Sequence, residues 1–119
     1  MFIGQAAKLS GATQRAIRLY ESLGLLKVSR DGRYRVYSAK NIETIKIIKG
    51  AQALGIHLSE IMSLLDEKGE FDWTLANEFL SAKYAMIESE ISELENKKIN
   101  IENYQKSITN CLKGLDSNP

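Results

Sequence analysis

The sequence is poor in the residues that staple, interrupt or catalyse. One cysteine, Cys111, in 119 residues excludes an internal disulfide and fits a reducing compartment. The one proline stands last, at Pro119, so no ring interrupts the helical pattern. With one histidine, one cysteine and no cluster of inward carboxylates, there is little from which to assemble a catalytic centre, and no enzyme is expected. No apolar run approaches ~18 residues, so no membrane span is expected. The N-terminus has no basic segment followed by an apolar one, so no secretory signal is expected either. These absences leave a cytoplasmic protein with one compact domain and an appendage.

What is present is distributed unevenly. The net charge of +1 hides ten Lys/Arg against three acids in residues 1–58, and six against twelve in residues 59–119. The first part is therefore +7 and the second −6, which suggests a polyanion-binding N-terminal part and a different task for the rest.

The basic part centres on Thr13-Gln-Arg-Ala-Ile-Arg-Leu-Tyr-Glu21. Thr13 suits an N-cap, and Gly24 sits where a C′ glycine would end the helix. Arg15 and Arg18 lie three apart and share a face, Gln14 projects from the same exposed N-terminal end, and Ile17 and Leu23 need a core behind them. A preceding short helix is marked by Ile3, Ala6 and Ala7, and Ser10-Gly11 stops it. Helix, glycine turn and basic helix together have the shape of a major-groove reader.

Leu26 to Arg30 and Arg33 to Tyr37 read as a hairpin turning on Asp31-Gly32, a pair suited to type I′. Lys27, Arg30, Arg33 and Arg35 with two tyrosines make it a phosphate-gripping wing; the alternative is a solvated edge ribbon kept charged against aggregation. Ser38 is placed to cap a third helix striped by Ile42, Ile45 and Ile48 and ending at Gly55. Ser59 would cap a fourth helix carrying Ile61, Met62, Leu64 and Leu65. His57 falls in the loop between them, and Glu67–Glu70 reads as a linker. This gives a DNA-binding domain over 1–70. Phe71 and Trp73 are expected to pack the next helix onto the fourth.

From Thr74 to about Leu112 there is neither proline nor glycine. Leu80, Tyr84, Ile87, Ile91, Leu94, Ile101 and Ile108 recur in steps of four and three, a heptad seam whose remaining slots hold Lys98 and Gln105. Such a rod, at ~1.5 Å per residue, is roughly 58 Å long and too long to bury its seam on a small domain. A second copy in a two-fold dimer is the simplest cover. The dimerisation helix is placed at 71–113, with Gly114 ending it and 114–119 a short tail.

These segments resemble the MerR-type transcriptional regulators. The carrying runs are Ile3-Gly-Gln-Ala-Ala-Lys8, Arg15-Ala-Ile-Arg-Leu-Tyr-Glu-Ser-Leu-Gly-Leu-Leu26, Tyr34-Arg-Val-Tyr37 and Ala53-Leu-Gly-Ile-His-Leu-Ser-Glu-Ile61. The resemblance implies a mainly α bacterial protein: a winged helix-turn-helix with a small β-hairpin wing, followed by a long antiparallel coiled-coil helix. It implies a homodimer on a pseudo-palindromic promoter element that distorts the spacer DNA and so acts on RNA polymerase through DNA. Carried onto this chain, Gln14 and Arg15 would face base edges, and Arg18 and Tyr20 would grip the backbone. Tyr34 and Arg35 would anchor the wing, with Arg33 nearby. Leu19 departs from the family, which usually has a second tyrosine there.

No cofactor is expected, and the effector is not legible. Metal-sensing relatives use several cysteines around the dimer helix, the redox-cluster branch needs four, and the thiol-stress branch tends to place one where this chain has Gln52. No C-terminal drug-binding domain is expected. Cys111 stands as an idle thiol, a redox or covalent sensor, or one half of a metal site shared by two subunits; no metal site within the chain is expected. Two other classes stand beside the main reading. An excisionase-like architectural DNA-binding protein would not need the rod, and a coiled-coil protein-interaction adaptor would leave the basic half unexplained.

Overall fold

The protein is described by a computed structural model covering residues 1–116. It opens with α1 (Ile3–Ser10), which buries Ala6 and stops at Gly11. Gly11 takes φ 77°, a left-handed conformation that a Cβ would strain, and its N–H closes on Ala7 O at 2.9 Å. The Ala12 N–H then donates to Ser10 Oγ at 3.2 Å, and the chain re-enters a helix almost at once. In α2 (Gln14–Ser22) the Thr13 hydroxyl accepts from Ala16 N at 3.0 Å, the expected cap. Ile17 and Tyr20 point inward from this helix.

The wing is a two-stranded antiparallel ladder of β1 (Ser29–Asp31) and β2 (Tyr34–Val36). Its register pairs Asp31 with Tyr34, so the two-residue loop is Gly32-Arg33 and not Asp31-Gly32 as expected. Among the described residues only glycines have positive φ, Gly32 at 61° included. A type I′ turn needs positive φ at both central positions, whereas glycine at the first alone suits the II′ class. The turn therefore slides by one residue, and each strand is shortened to three.

The third helix, α3 (Ala39–Ala53), is capped reciprocally: Asn41 N donates to Ser38 Oγ at 3.1 Å, and Ser38 N to Asn41 Oδ1 at 2.9 Å. Asn41 is buried and its amide donates to Lys27 O at 3.1 Å, tying the entry of the wing to α3. Ile42, Ile45 and Ile48 form its core stripe as expected. Ile47, on another side of the same helix, and Leu54, its C-cap, remain exposed.

The fourth helix is shorter than expected. It is α4 (Leu58–Met62), and its N-cap is His57, whose N–H donates to Glu60 Oε1 at 3.2 Å; Ser59 lies inside it. The expectation of a capping Ser59 is corrected, because Glu60 lies at the position that reaches back to residue 57; His57 itself lies in the connection before α4, as expected. The expected linker is a closed turn: Asp66 Oδ1 accepts from Lys68 N at 2.8 Å and Glu70 N at 3.0 Å. Leu65 and Phe71 form a bridge, and Asp72 N donates to Leu64 O at 2.9 Å. Phe71 is half-buried, while Trp73 leans on it with ring centroids 5.2 Å apart and stays exposed.

The first compact unit runs from Met1 to Ala76, beyond the expected boundary at 70 because the turn is tied back. Its core joins Ala6, Ile17, Tyr20, Leu25, Leu26, Tyr37, Ile42, Ile45, Ile48 and Ile61. Burying a side chain such as Ile45 fully stabilises by about 1.5–3 kcal/mol. The second unit begins at Asn77 and consists of the long helix α5, whose bounds are Trp73–Asp116. Helical structure continues through Gly114, which was expected to end it, and residues 117–119 of the expected tail lie outside the described residues. Within this unit Leu80, Tyr84, Ile87, Ile91, Leu94, Ile101 and Ile108 are all exposed. A single helix has nothing of its own to cover such a seam.

Candidate nucleic-acid interface

The cap at Thr13 and the buried pair Ile17 and Tyr20 orient α2, and that orientation decides which side chains face outward. Gln14, Arg15, Arg18 and Leu19 are exposed along one side. A short helix with a seated back and a cationic front offers fork-shaped donors suited to phosphates and to guanine edges.

Tyr20 is not part of that front. It is 2% exposed, and its hydroxyl donates to Gln52 Oε1 at 2.6 Å, a bond between α2 and α3. Burial pushes its phenol above the usual tyrosine value. The expectation that Tyr20 grips the DNA backbone is therefore corrected: the side chain seats the helix. Leu19, the neighbour that lacks a hydroxyl, is the one facing out. The three- to four-residue period explains the reversal, since residue 20 lies three beyond Ile17 and shares its inward face.

The wing is held against α2 by Arg35. Its Nε lies 2.7 Å from one Glu21 carboxylate oxygen and donates to the other at 3.0 Å. The pair is partly exposed, so its value is positional more than energetic. It also eases a like-charge contact, because Arg35 stands directly across the ladder from Arg30. The wing's last anchor is Tyr37, which is buried, and whose hydroxyl has no hydrogen-bond partner among the described residues. Burial raises its phenol, the Glu21 carboxylate adds to that, and Arg35, Arg18 and Arg30 oppose it.

Arg18 from α2 and Arg33, Tyr34 and Arg35 from the wing meet around one shallow hollow of about 190 Å³, with Phe2 and Ile3 completing its wall. Four of the seven expected DNA-binding residues are thus brought together. Gln14 and Arg15 lie on the adjoining exposed side of α2, and Tyr20 is withdrawn. Sequence reasoning missed Phe2, Glu21 and Gln52 as parts of this arrangement. Glu21 was legible in principle as the one acid on a basic helix, but its partner is set by the wing. Lys49 was missed as well: its ammonium donates to Gly11 O, tying α3 to the turn between α1 and α2.

Elsewhere, Cys111 is an exposed thiol. Among the described residues no group of three or more His, Cys, Asp or Glu is placed to hold a metal ion, and no helix is long and apolar enough to cross a membrane.

Comparison with known proteins identifies the family. Residues 1–68 match the family described as MerR HTH family regulatory protein, and residues 42–102 match that described as MerR, DNA binding. The HTH-type transcriptional regulator HmrR of Sinorhizobium medicae (strain WSM419) is 33% identical over 119 residues, covering 98% of this chain and 75% of its own length. Heavy metal-dependent transcription regulator 1 of Rhizobium meliloti (strain 1021) is 35% identical over 120 residues, covering 98% of this chain and 76% of its own. Among solved structures, the transcription regulator PbrR691 from Ralstonia metallidurans CH34, in complex with lead(II), shares the fold with a TM-score of 0.60 at 24% identity, over 89% of this chain and 86% of that one. With the family matched over more than half its length and an outward cationic helix beside a basic wing, this chain belongs to the MerR HTH family of DNA-binding transcriptional regulators, which are not enzymes.

Proposed function

We propose that this regulator binds a pseudo-palindromic promoter element as a homodimer and distorts the spacer DNA, acting on RNA polymerase through the DNA. The observation that carries the reading is the convergence of Arg18, Arg33, Tyr34 and Arg35 on one exposed hollow beside the Gln14 and Arg15 side of α2. Arg18 and Arg33 neutralise phosphates, Gln14 and Arg15 read base edges, and Tyr34 with Arg35 sets the wing. Bending a short duplex costs on the order of 1–6 kcal/mol, which added phosphate contacts offset. The dimer is supported by the seven exposed seam residues of α5, Leu80 to Ile108, which need a second helix. A DNA-bound regulator of this kind works in the cytoplasm.

The test is a salt titration of DNA affinity with the parent and Arg18→Ala. The parent's affinity should fall steeply with log salt, and the variant should bind more weakly across all sequences with the slope reduced by about 1. Loss confined to one base position would assign Arg18 to base reading instead.

Relatives named heavy metal-dependent, and a lead(II) complex of a structural neighbour, raise the question of a metal effector. The described residues do not fit a closed site in one chain: Cys111 is the one thiol, and no cluster of three donors surrounds it. Cys111 stands as the candidate sensor. DNA binding with the thiol reduced, oxidised and blocked tests it, and identical binding in all three states would make it structural.

A further inference from the structure

Phe2 is 57% exposed and Tyr34 61% exposed, yet their rings lie together, with centroids 5.8 Å apart and planes inclined by 56°. The N-terminal segment is tied down at this point. Tyr37 N donates to Met1 O at 2.7 Å, and the Met1 amine donates to Tyr37 O at 3.1 Å. On the other side, Phe2 is the N-cap residue of α1, and its carbonyl accepts from Ala6 N at 3.0 Å. Residue 2 is thus fixed from both directions and holds a large apolar ring in water. Fixing a ring while leaving it half uncovered gains little for the fold, since only the area removed from water stabilises.

Its surroundings supply a use. Phe2 and Tyr34 share the hollow with Arg18, Arg33 and Arg35. Arg35 is occupied by Glu21, whereas Arg18 and Arg33 have no acidic partner among the described residues. Two uncommitted cations beside an apolar ledge mirror the alternation of anionic phosphate and apolar deoxyribose along one nucleic-acid strand. We infer that Phe2 is a DNA-contacting residue, and that the Phe2–Tyr34 pair packs on the deoxyriboses of the strand whose phosphates Arg18 and Arg33 neutralise. The inference rests on the DNA-binding reading above and adds to it a contact that is apolar, N-terminal and indifferent to sequence. Insertion of the ring between base pairs is the competing geometry, and it would discriminate between base steps.

The experiment uses the full chain and two duplexes several helical turns long, one carrying the promoter upstream of its own gene and one of scrambled sequence. Phe2→Ala should weaken binding to both by about tenfold, or about 1.4 kcal/mol. Its slope of log affinity against log salt should equal the parent's, because no charge is removed. Phe2→Leu should keep most of the affinity, and Arg33→Ala should lower the slope by about 1. Thermal melting by circular dichroism reports whether Phe2→Ala still folds. If its melting falls, Tyr34→Ala, which leaves the Met1–Tyr37 pairing in place, should show the same loss at constant slope. Parental affinity in Phe2→Ala, or in Tyr34→Ala where the first variant fails to fold, overturns the inference. A loss confined to some sequences, with unstacking of a 2-aminopurine placed in the duplex, overturns it in favour of insertion. Failure of the parent to bind either duplex at low salt would instead defeat the DNA-binding reading itself.

Discussion

Ile45 and Ile87 are the same side chain in two regions of one protein, and they live in opposite surroundings. Ile45, in the first unit, is 0% exposed; Ile87, in the second, is 53% exposed, and Ile91 beside it is 49%. The first unit folds its apolar stripes onto one another, because short helices joined by glycine turns can bring several faces to one centre. The second is one uninterrupted helix, and a helix has no second face to fold back. Apolar content alone thus does not say where the burial partner is. In the first unit the partner is elsewhere in the chain, and stability should be independent of concentration. In the second we propose that it is another copy, so stability there should follow mass action.

The largest effect should come from breaking the second region. Replacing Ile87 and Ile91 together with Glu puts two charges into the proposed seam, and sedimentation should show monomers at concentrations where the parent is dimeric. A double variant that stays dimeric would show that the seam lies elsewhere on α5. The next largest effect should come from the first region. Ile45→Ala should cost about 2–5 kcal/mol of unit stability in denaturant titration, at any protein concentration and with the oligomeric state unchanged. Concentration-dependent loss in that variant would erase the distinction between the regions.

The smallest effects sharpen the picture inside the first unit, where one of two buried phenols has a hydrogen-bond partner and the other has none among the described residues. Tyr20→Phe removes the bond to Gln52, at a cost of about 1 kcal/mol. Tyr37→Phe removes a hydroxyl with no partner among the described residues and should be close to neutral. Burial raises both phenols above the usual 10.0. Protons are then held more tightly in the folded state, so full stability persists below pH ~10 and falls above it, as the unfolded phenols ionise first. Tyr37→Phe should lessen that alkaline loss. Chemical denaturation at neutral and alkaline pH checks it, and an unchanged pH dependence would show that Tyr37 ionises equally in both states.

Much of the fold was legible because it depends on local signals. Thr13, Ser38, Gly11 and Gly24 mark helix ends through hydrogen bonds and φ angles that neighbouring residues set. Where two local signals compete, residue type favours the one the fold does not use. Asp31-Gly32 is the stronger turn pair by residue type although the ladder turns on Gly32-Arg33, and Ser59 is the stronger cap by residue type although His57 and Glu60 form it. The Glu67–Glu70 segment reads as a linker in sequence, because an Asx turn on Asp66 is recognised only once its N–H donors are placed. The candidate site was legible by residue type but less so by direction. Its arginines were found, whereas the inward turn of Tyr20 and the presence of Phe2 were not.

By itself, the sequence determined the features that composition and period set: a cationic first part, an outward face on the Thr13 helix, and a heptad seam that one chain cannot bury. Tertiary structure alone decided the long-range pairings. It set Glu21 against Arg35, Tyr20 against Gln52, Met1 against Tyr37, and Phe2 beside Tyr34. Those partners lie 14 to 36 residues apart along the chain. Helix and strand periods carry no information over such separations, and packing alone determines which side chains meet.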